Sequence, residues 1–253
     1  MARLIARDLT AARGGRRVIG PLSFALEPGT LTAICGPNGA GKSSLLMALA
    51  GLLGAQSGDV ALGERPLRDI PLKTRARAIG YLPQSGSLAW DIAVQSLVAL
   101  GRHPHGDEAS PTGAQAVQRA LAETQLEPLA HRPVSQLSGG ERARALLARA
   151  LAGEPEWILA DEPLAALDLA HQLRMLAHLR QRAREGQGIV LVLHDLSAAM
   201  NHADRTLVLE QGKLVADDAP QSALRPAIIE RVWGVSGRWL GEPGQRVLHS
   251  QLP

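Results

Sequence analysis

Residues 36–43 constrain the fold of this chain most, because their glycines, lysine and serine have a fixed spacing. In order they are Gly36, Pro37, Asn38, Gly39, Ala40, Gly41, Lys42 and Ser43. An apolar run, Leu31–Cys35, precedes them, and a helical apolar pattern begins at Ser44. A strand, a glycine-rich turn and a helix start together crowd backbone N–H groups around an anion. The pattern predicts a phosphate-binding loop, with Lys42 on nucleotide phosphates and Ser43 on Mg²⁺.

A second predicted helix N-terminus, whose first residues are glycines without side chains, lies further along the chain. Its residues are Leu137, Ser138, Gly139, Gly140 and Glu141, and a helical pattern follows as far as Leu151. Ser138 and Glu141 have the spacing of a capping box. The two glycines between them weaken a helix start that needs only a cap, so they indicate a further purpose. We predict a second anion site at this helix N-terminus.

Two more apolar runs end in side chains suited to hydrolysis. Residues 157–161 read as a parallel strand buried on both faces, and Asp161 and Glu162 stand at its end. Asp161 is suited to hold the hydration shell of Mg²⁺, and Glu162 to polarise an attacking water. Residues 189–193 form another such run, followed by His194. A single strand-end histidine is more often structural, but ligands of open α/β sheets bind at strand ends, which favours a functional His194.

Composition narrows the class of protein. Over 253 residues, 45% are hydrophobic and 20% charged, which is typical of a globular chain with a substantial core. The net charge is +3 without a basic block, so no nucleic-acid partner is expected. Cys35 is the only cysteine and lies in an apolar run, which predicts a buried thiol and fits a reducing cytoplasm. No run approaches the ~18–20 apolar residues that span a bilayer, and the first residues are too charged for a signal peptide.

In order and spacing, these motifs resemble the nucleotide-binding subunits of ABC transporters. Residues 36–43 resemble the Walker A motif, residues 137–141 the ABC signature, and Asp161 with Glu162 the end of Walker B. Gln84 matches the Q-loop and Asp168 the D-loop. The resemblance covers essentially the whole chain. It implies an α/β, P-loop ABC ATPase fold with a RecA-like core, an antiparallel β subdomain and an α-helical signature subdomain. One ABC ATPase domain then fills residues 1–253, with core and β subdomain in 1–84 and 155–253 and the helical subdomain in 85–154.

The resemblance also implies roles for particular residues. Two chains would form a head-to-tail homodimer around two ATP molecules, so that the signature of one chain faces the γ-phosphate held by Lys42 of the other. The implied catalytic residues are Glu162, His194 and Gln84. The implied Mg²⁺ ligands are Ser43, Gln84 and Asp161. The implied ATP-binding residues are those of the phosphate loop, namely Gly36, Pro37, Asn38, Gly39, Ala40, Gly41, Lys42, Ser43 and Ser44, together with Arg13, Ser138, Gly139, Gly140 and Asp168.

One position departs from the family pattern. Family members usually carry an aromatic residue near the first hairpin that stacks on adenine, and that position falls on Arg13. A guanidinium plane also stacks on a π-face, but a solvated arginine in a turn is an equally good interpretation. The departure concerns affinity and base selectivity and leaves the phosphate chemistry unaffected.

Residues 94–105 closely resemble a stretch in ATPases that serve importers of metal chelates, namely ferric siderophores, haem and cobalamin. This implies an ATP-hydrolysing subunit at the cytoplasmic face of the inner membrane, bound to transmembrane permease subunits. A periplasmic or surface substrate-binding protein would be an indirect partner, and the sequence does not identify the chelate. His103 and His105 are candidate metal ligands. Pro104 stiffens the pair and no third ligand is evident, so a polar loop is the favoured interpretation.

Two other classes stay open. One is a soluble ABC ATPase that works without a membrane, in iron–sulfur assembly, translation or DNA repair. Against two of these roles, the chain lacks the coiled-coil insertion of repair members and the second cassette of most translation members. The other is a non-hydrolytic regulatory module, against which the presence of Lys42, Asp161, Glu162 and His194 argues.

The apolar patterns also predict the main elements. The expected strands are 3–12, 18–26, 59–62, 79–82, 205–209 and 213–216. The expected helical stretches are 90–129 (with a polar break at 103–108), 170–185 and 220–233. The stretch from Gly234 onward gives no assignment.

Overall fold

The computed structural model describes residues 1–84 and 91–252, and the chain divides into two compact units. The first comprises Met1–Asp69 and the chain from Leu176 onward; the second comprises Ile70–Met175. The strands are β1 (Leu4–Arg13), β2 (Arg16–Leu26), β3 (Leu31–Cys35), β4 (Ala55–Leu62), β5 (Arg65–Pro66), β6 (Ile79–Leu82), β7 (Trp157–Asp161), β8 (Gly188–Val192), β9 (Arg205–Glu210), β10 (Lys213–Asp218), β11 (Ser236–Leu240) and β12 (Val247–Gln251). The helices are α1 (Lys42–Leu49), α2 (Leu72–Ala78), α3 (Val94–Ala99), α4 (Pro111–Glu123), α5 (Gly139–Ala152), α6 (Leu169–Arg184), α7 (Leu196–His202), α8 (Pro220–Ala223) and α9 (Pro226–Trp233).

The first unit contains an antiparallel sheet and a largely parallel one. The antiparallel sheet has the order β2-β1-β4-β5. In the other sheet, β3 pairs in parallel with β8 on one side and with β9 on the other, and β10 pairs antiparallel with β9. All residues of β3 and β8 are buried, as their continuous apolar runs predict.

The second unit combines a short parallel strand pair with helices. Strands β6 and β7 pair in parallel, with Leu82 opposite Ala160. Helices α3, α4 and α5 pack together, and each buries an apolar side, represented by Leu97, Leu121 and Leu147. Trp90, where the expected helical stretch begins, lies outside the described residues. Within 91–129 the structure has α3 and α4, which residues 100–110 separate.

Strand β4 is longer than its apolar pattern predicts, and it begins at Ala55. The polar first half of β4 is hydrogen-bonded to Thr10 of β1. The Ser57 N–H donates to Thr10 Oγ1 at 3.0 Å, and Ser57 Oγ lies 2.8 Å from the same oxygen. A strand segment stabilised by hydrogen bonds between polar side chains shows no alternation of apolar residues, so the sequence pattern does not predict it.

The helical prediction for residues 220–233 is wrong in one respect, because two helices fill this stretch instead of one. Arg225 between them is extended, with φ −64° and ψ 152°. It precedes Pro226, whose ring disfavours the helical conformation in the residue before it. Pro226 then occupies the first turn of α9, where its missing N–H costs nothing.

The tail beyond Gly234, for which the sequence gives no assignment, forms the antiparallel hairpin β11–β12. Trp239 Nε1 donates to the carbonyl oxygen of Leu224 at 2.7 Å, which attaches one face of the hairpin to the turn between α8 and α9. Among the residues that the structure describes, no helix is long and apolar enough to cross a membrane.

Candidate functional site

The loop between β3 and α1 requires glycine near both of its ends. Gly36 has φ +152° and Gly41 has φ +99°, values that residues with a side chain rarely adopt. A Cβ on Gly36 would collide with the carbonyl oxygen of Leu209, and one on Gly41 with that of Val18. Gly41 is also the N-cap of α1, and because it has no side chain, no capping side chain competes with an anion at this helix start.

Lys42, the first residue of α1, is 5% exposed. Its Nζ donates to the carbonyl oxygens of Gly36 at 2.9 Å and Pro37 at 3.1 Å. These bonds compensate the burial of the ammonium group and hold it against the loop. A fixed positive charge therefore lies at the start of α1.

His194 lies at the same sheet edge as this loop. Because β3 and β8 are parallel neighbours, the residues that follow them emerge at one edge. The Leu193 N–H donates to the carbonyl oxygen of Ile34 at 3.1 Å, and the exposed His194 comes next. Asp195 then caps α7 by accepting from the Ser197 N–H at 2.7 Å. The first unit thus brings together the phosphate loop and the predicted histidine.

The second unit joins the Q-loop glutamine to the strand-end carboxylates. Gln84 follows β6, and Asp161 and Glu162 stand at the end of its parallel neighbour β7. Gln84 Nε2 donates to Glu162 Oε2 at 2.6 Å. Asp161 is 3% exposed. Glu162 has φ +51°, a conformation that costs a residue with a side chain about 1–3 kcal/mol and turns the chain sharply at the strand end.

The predicted capping box at α5 is confirmed. The Ser138 N–H donates to Glu141 Oε2 at 2.8 Å, and the Glu141 N–H donates to Ser138 Oγ at 3.3 Å. The bond from the Ser138 backbone, with a further contribution from its hydroxyl, lowers the pKa of Glu141. The first turn of α5 begins with Gly139 and Gly140, as its sequence indicates.

The D-loop packs directly against the signature glycines. A Cβ on Gly140 would lie 3.2 Å from the carbonyl oxygen of Ala166, closer than such atoms normally approach. Asp168 Oδ1 accepts from the His171 backbone N–H at 2.8 Å and lies 2.8 Å from His171 Nδ1. These bonds from His171 lower the pKa of the Asp168 carboxyl. The Asp168 carboxylate is thus held by His171, two residues after the Ala166 carbonyl that lies against Gly140.

Two sequence hypotheses concern residues outside these clusters. Arg13 is exposed at the end of β1, opposite Arg16, so its contact with adenine stays a prediction. His103 Nδ1 lies 2.9 Å from Glu108 Oε1, and His105 Nε2 lies 3.0 Å from the carbonyl oxygen of Gly153. Within residues 1–84 and 91–252, no group of three or more His, Cys, Asp or Glu side chains is placed to hold a metal ion. The contacts of both histidines fit the favoured polar-loop interpretation.

Residues 19–165 match the ABC transporter family model, which spans the phosphate loop, the signature and the carboxylate pair. The chain belongs to the ABC transporter family. The expected ABC ATPase fold and the expected ATPase class are confirmed with it.

Several relatives of this ABC protein are similar over nearly their full length. A "Hemin import ATP-binding protein HmuV" from Bordetella avium is 39% identical over 249 residues, which cover 95% of each chain. Among solved structures, a transporter assigned to the metal-chelate type, in an inward-facing conformation, has a TM-score of 0.82 at 26% identity and covers 99% of this chain and 97% of its own. A dimeric ATP-binding cassette in a post-hydrolysis state, bound to ADP and Pi, has a TM-score of 0.77 at 25% identity, with coverage of 86% and 98%.

Cys35, directly before the phosphate loop of this ABC protein, gives a first testable prediction. Burial raises the pKa of its thiol to about 12, and the nearby Lys42 ammonium offsets only part of that rise. Because the thiolate is the reactive form, a rise from the ordinary value of 9.0 slows alkylation of the folded chain about a thousandfold. Iodoacetamide labelling followed by mass spectrometry measures the rate, with Ser135→Cys in a Cys35→Ala background as the exposed control. Equal labelling rates at the two positions would contradict a buried, protonated Cys35.

Proposed function

We propose that this chain is the ATP-hydrolysing subunit of a membrane importer for metal chelates. The observation that carries the proposal is its similarity to a hemin import ATP-binding protein over 95% of both chains. The proposal is strengthened by the presence of a complete phosphate loop, signature and carboxylate pair in one chain. The similarity to a transporter of the metal-chelate type over 99% of this chain points in the same direction.

ATP binding is assigned to the loop between β3 and α1. The amides of residues 39–44 and the start of α1 supply donors to the phosphate oxygens, and Lys42 supplies the positive charge. The carbonyl contacts of Lys42 hold its ammonium group at the loop before ATP binds, so little ordering is required on binding. Arg13 is assigned to the adenine ring, on which its guanidinium would stack.

The oxygen donors of Ser43, Gln84 and Asp161 fit a magnesium ion. A hydroxyl, an amide carbonyl and a carboxylate are the hard ligands that Mg²⁺ prefers, and it commonly keeps several of its waters. Only Asp161 of the three is charged, which suits an ion that also binds phosphate oxygens. When bound, the ion neutralises charge that develops on the β- and γ-phosphates.

Hydrolysis is assigned to Glu162, with Gln84 and His194 as its partners. Glu162 accepts a proton from the attacking water, which makes the oxygen more nucleophilic. Gln84 already holds one oxygen of that carboxylate at 2.6 Å, so its amide fixes the direction in which the carboxylate points. His194 follows Leu193 at the sheet edge where the phosphate loop begins, and it would donate to a γ-phosphate oxygen.

The signature is assigned to the partner chain's ATP in a head-to-tail homodimer. Ser138, Gly139 and Gly140 form a helix start suited to phosphate. Asp168, in the D-loop whose Ala166 lies against Gly140, is assigned to the dimer seam. The similar cassette that was solved as a dimer with ADP and Pi supports a dimeric working state. ATP would then draw two chains together, and loss of the γ-phosphate would release them.

Transport places this chain at the cytoplasmic face of the inner membrane, bound to transmembrane permease subunits. A periplasmic or surface substrate-binding protein would deliver the chelate to the permease, so this chain need not touch it. No described helix spans a membrane, so the translocation path is assigned to the permease.

The test is co-purification. A tagged Glu162→Gln chain, which is expected to keep ATP bound, serves as bait for detergent-solubilised membranes of the source cell, with an unrelated tagged protein as control. A polytopic permease in the eluate would support the importer. ATPase activity of the same complex, purified again with Glu162 restored, should then rise with haem, a ferric siderophore or cobalamin, and the compound that raises it names the chelate. Only soluble partners in the eluate, with normal ATPase activity of the chain that retains Glu162, would support the alternative of a soluble ABC ATPase.

A further inference from the structure

Arg102 has no role in the ATP chemistry described above, yet it is one of the most buried charges of the chain. In residues 1–84 and 91–252, three charged side chains are buried, namely Lys42, Arg102 and Asp161. Two of them belong to the proposed ATP site. A buried guanidinium is costly unless most of its donors are paired, so the third requires an explanation of its own.

The partners of Arg102 come from two segments of the second unit. Its Nε and Nη2 donate to the two carboxylate oxygens of Asp107, at 3.0 and 2.6 Å. Its Nη1 donates to the carbonyl oxygen of Ala152 at 3.0 Å and to Glu154 Oε2 at 2.9 Å. Arg119 of α4 reaches the other oxygen of Glu154 at 2.6 Å. We call these four side chains, Arg102, Asp107, Arg119 and Glu154, the Arg102 cluster.

The Arg102 cluster attaches the segment between α3 and α4 to the C-terminal end of α5. Ala152 is the last residue of α5, and an unpaired terminal carbonyl of the helix receives the charged donor. Two further contacts tighten the same junction: His105 Nε2 lies 3.0 Å from the carbonyl oxygen of Gly153, and a Cβ on Gly101 would collide with the carbonyl oxygen of Arg149.

Helix α5 carries the signature at its other end. It begins after Ser138 and runs for 14 residues, or about 20 Å at 1.5 Å per residue. A helix of this length is stiff, so fixing its C-terminal end also fixes the direction of its N-terminal end. The N-terminal end itself has the capping box and its contact with the D-loop. The direction in which the signature N–H groups point therefore depends on contacts at both ends.

We infer that Arg102 is a positioning residue for the signature: it holds α5 in the direction that lets Ser138, Gly139 and Gly140 meet the γ-phosphate bound by a second copy of this chain. The inference rests on the proposed head-to-tail homodimer. Arg102 touches neither ATP nor the reacting atoms, and it acts through α5. Its removal should impair dimer closure and turnover without impairing the phosphate loop.

The test compares Arg102→Met with Arg119→Met in a Glu162→Gln background. Both changes remove an arginine from Glu154, but the Arg119 side chain is 54% exposed whereas that of Arg102 is 3% exposed. In sedimentation velocity with ATP, Arg102→Met is expected to raise the dimer dissociation constant about tenfold or more, because a small misorientation of a remote element is costly. Arg119→Met should change it by roughly twofold at most, as for other exposed ion pairs.

Two further measurements distinguish positioning from general destabilisation. Affinity for a fluorescent ATP analogue, at protein concentrations below dimer formation, should be unchanged, and with Glu162 restored kcat should fall while KM for ATP stays constant. Arg102→Lys should recover part of the dimerisation, since lysine keeps the charge but not the two-pronged contact with Asp107. If Arg102→Met does not fold, Asp107→Ala removes the two-pronged contact from its more exposed side.

A folded Arg102→Met chain that dimerises as well as Arg119→Met would overturn the positioning role and leave the proposed function intact. Failure of the Glu162→Gln chain itself to dimerise with ATP would overturn the head-to-tail assembly, and this inference with it. The two failures are therefore distinguishable.

Discussion

Replacing Glu162 with glutamine is expected to lower the rate of ATP hydrolysis about 10²–10⁴-fold, the usual contribution of a general base. Glutamine has the shape of glutamate but cannot take the proton of the attacking water. Phosphate release measures the rate, and equilibrium binding of a fluorescent ATP analogue checks that the phosphate loop still binds nucleotide. ATP binding should be retained, because the contacts of Lys42 and the glycine geometry of the loop lie in the other unit.

The matched control is Glu127→Gln, the same chemical change at an exposed position of the same unit. It should hydrolyse ATP at the normal rate. Turnover by Glu162→Gln equal to that of the control would remove Glu162 from the mechanism and would reopen the choice of base. Loss of ATP binding together with turnover would instead indicate that Glu162 supports the phosphate loop.

The hydrogen bond between Gln84 and Glu162 could not be predicted from the sequence. The two residues are 78 positions apart, and each motif is identifiable alone. What joins them is the parallel register of β6 and β7, with Leu82 opposite Ala160. Register between strands distant in sequence is fixed by packing of the whole sheet, so it leaves no local pattern.

Features that depend on local chemistry were predictable from the sequence. The capping box of Ser138 and Glu141 needs only four consecutive residues, and its two hydrogen bonds form as the spacing indicates. The phosphate loop likewise needs glycine at positions whose φ values are positive, and Gly36 and Gly41 occupy them. In both cases the residues that identify the motif in the sequence are the same residues that form its hydrogen bonds or its backbone conformation.

Features held by distant partners were not predictable. The β11–β12 hairpin has few buried side chains, and part of its attachment is the bond from Trp239 to the carbonyl of Leu224. Asn201 of α7 also holds the backbone of Arg246 with two hydrogen bonds of 2.8 Å each. No apolar period marks strands that are stabilised in this way. The burial of Arg102 could not be predicted from the sequence either, because its partners Ala152 and Glu154 are about 50 residues away along the chain.

Replacing Ser138 with arginine is expected to lower ATP turnover about 10²–10³-fold or more, the effect of losing a transition-state donor. The long side chain would fill the space that a partner's γ-phosphate occupies, and the N-cap bond to Glu141 would be lost as well. Loss of the cap alone destabilises a helix by about 0.5–2 kcal/mol. Ser138→Ala removes the cap and the hydroxyl without filling the space, and Ser135→Arg places the same arginine at a nearby exposed position. Phosphate release and the melting temperature of each variant separate blocked chemistry from lost stability.

Mixing Ser138→Arg with Lys42→Met tests whether the signature acts on a second copy of the chain. In a head-to-tail heterodimer, one ATP site receives both changes and the other receives neither, so one site in two is intact. Random assortment then restores up to about a quarter of normal turnover, although each variant alone is inactive. If a signature instead served the phosphate loop of its own chain, every site in the mixture would carry one defect. An inactive mixture that still forms heterodimers would therefore contradict the head-to-tail arrangement, whereas recovered turnover requires the two motifs to meet across two chains.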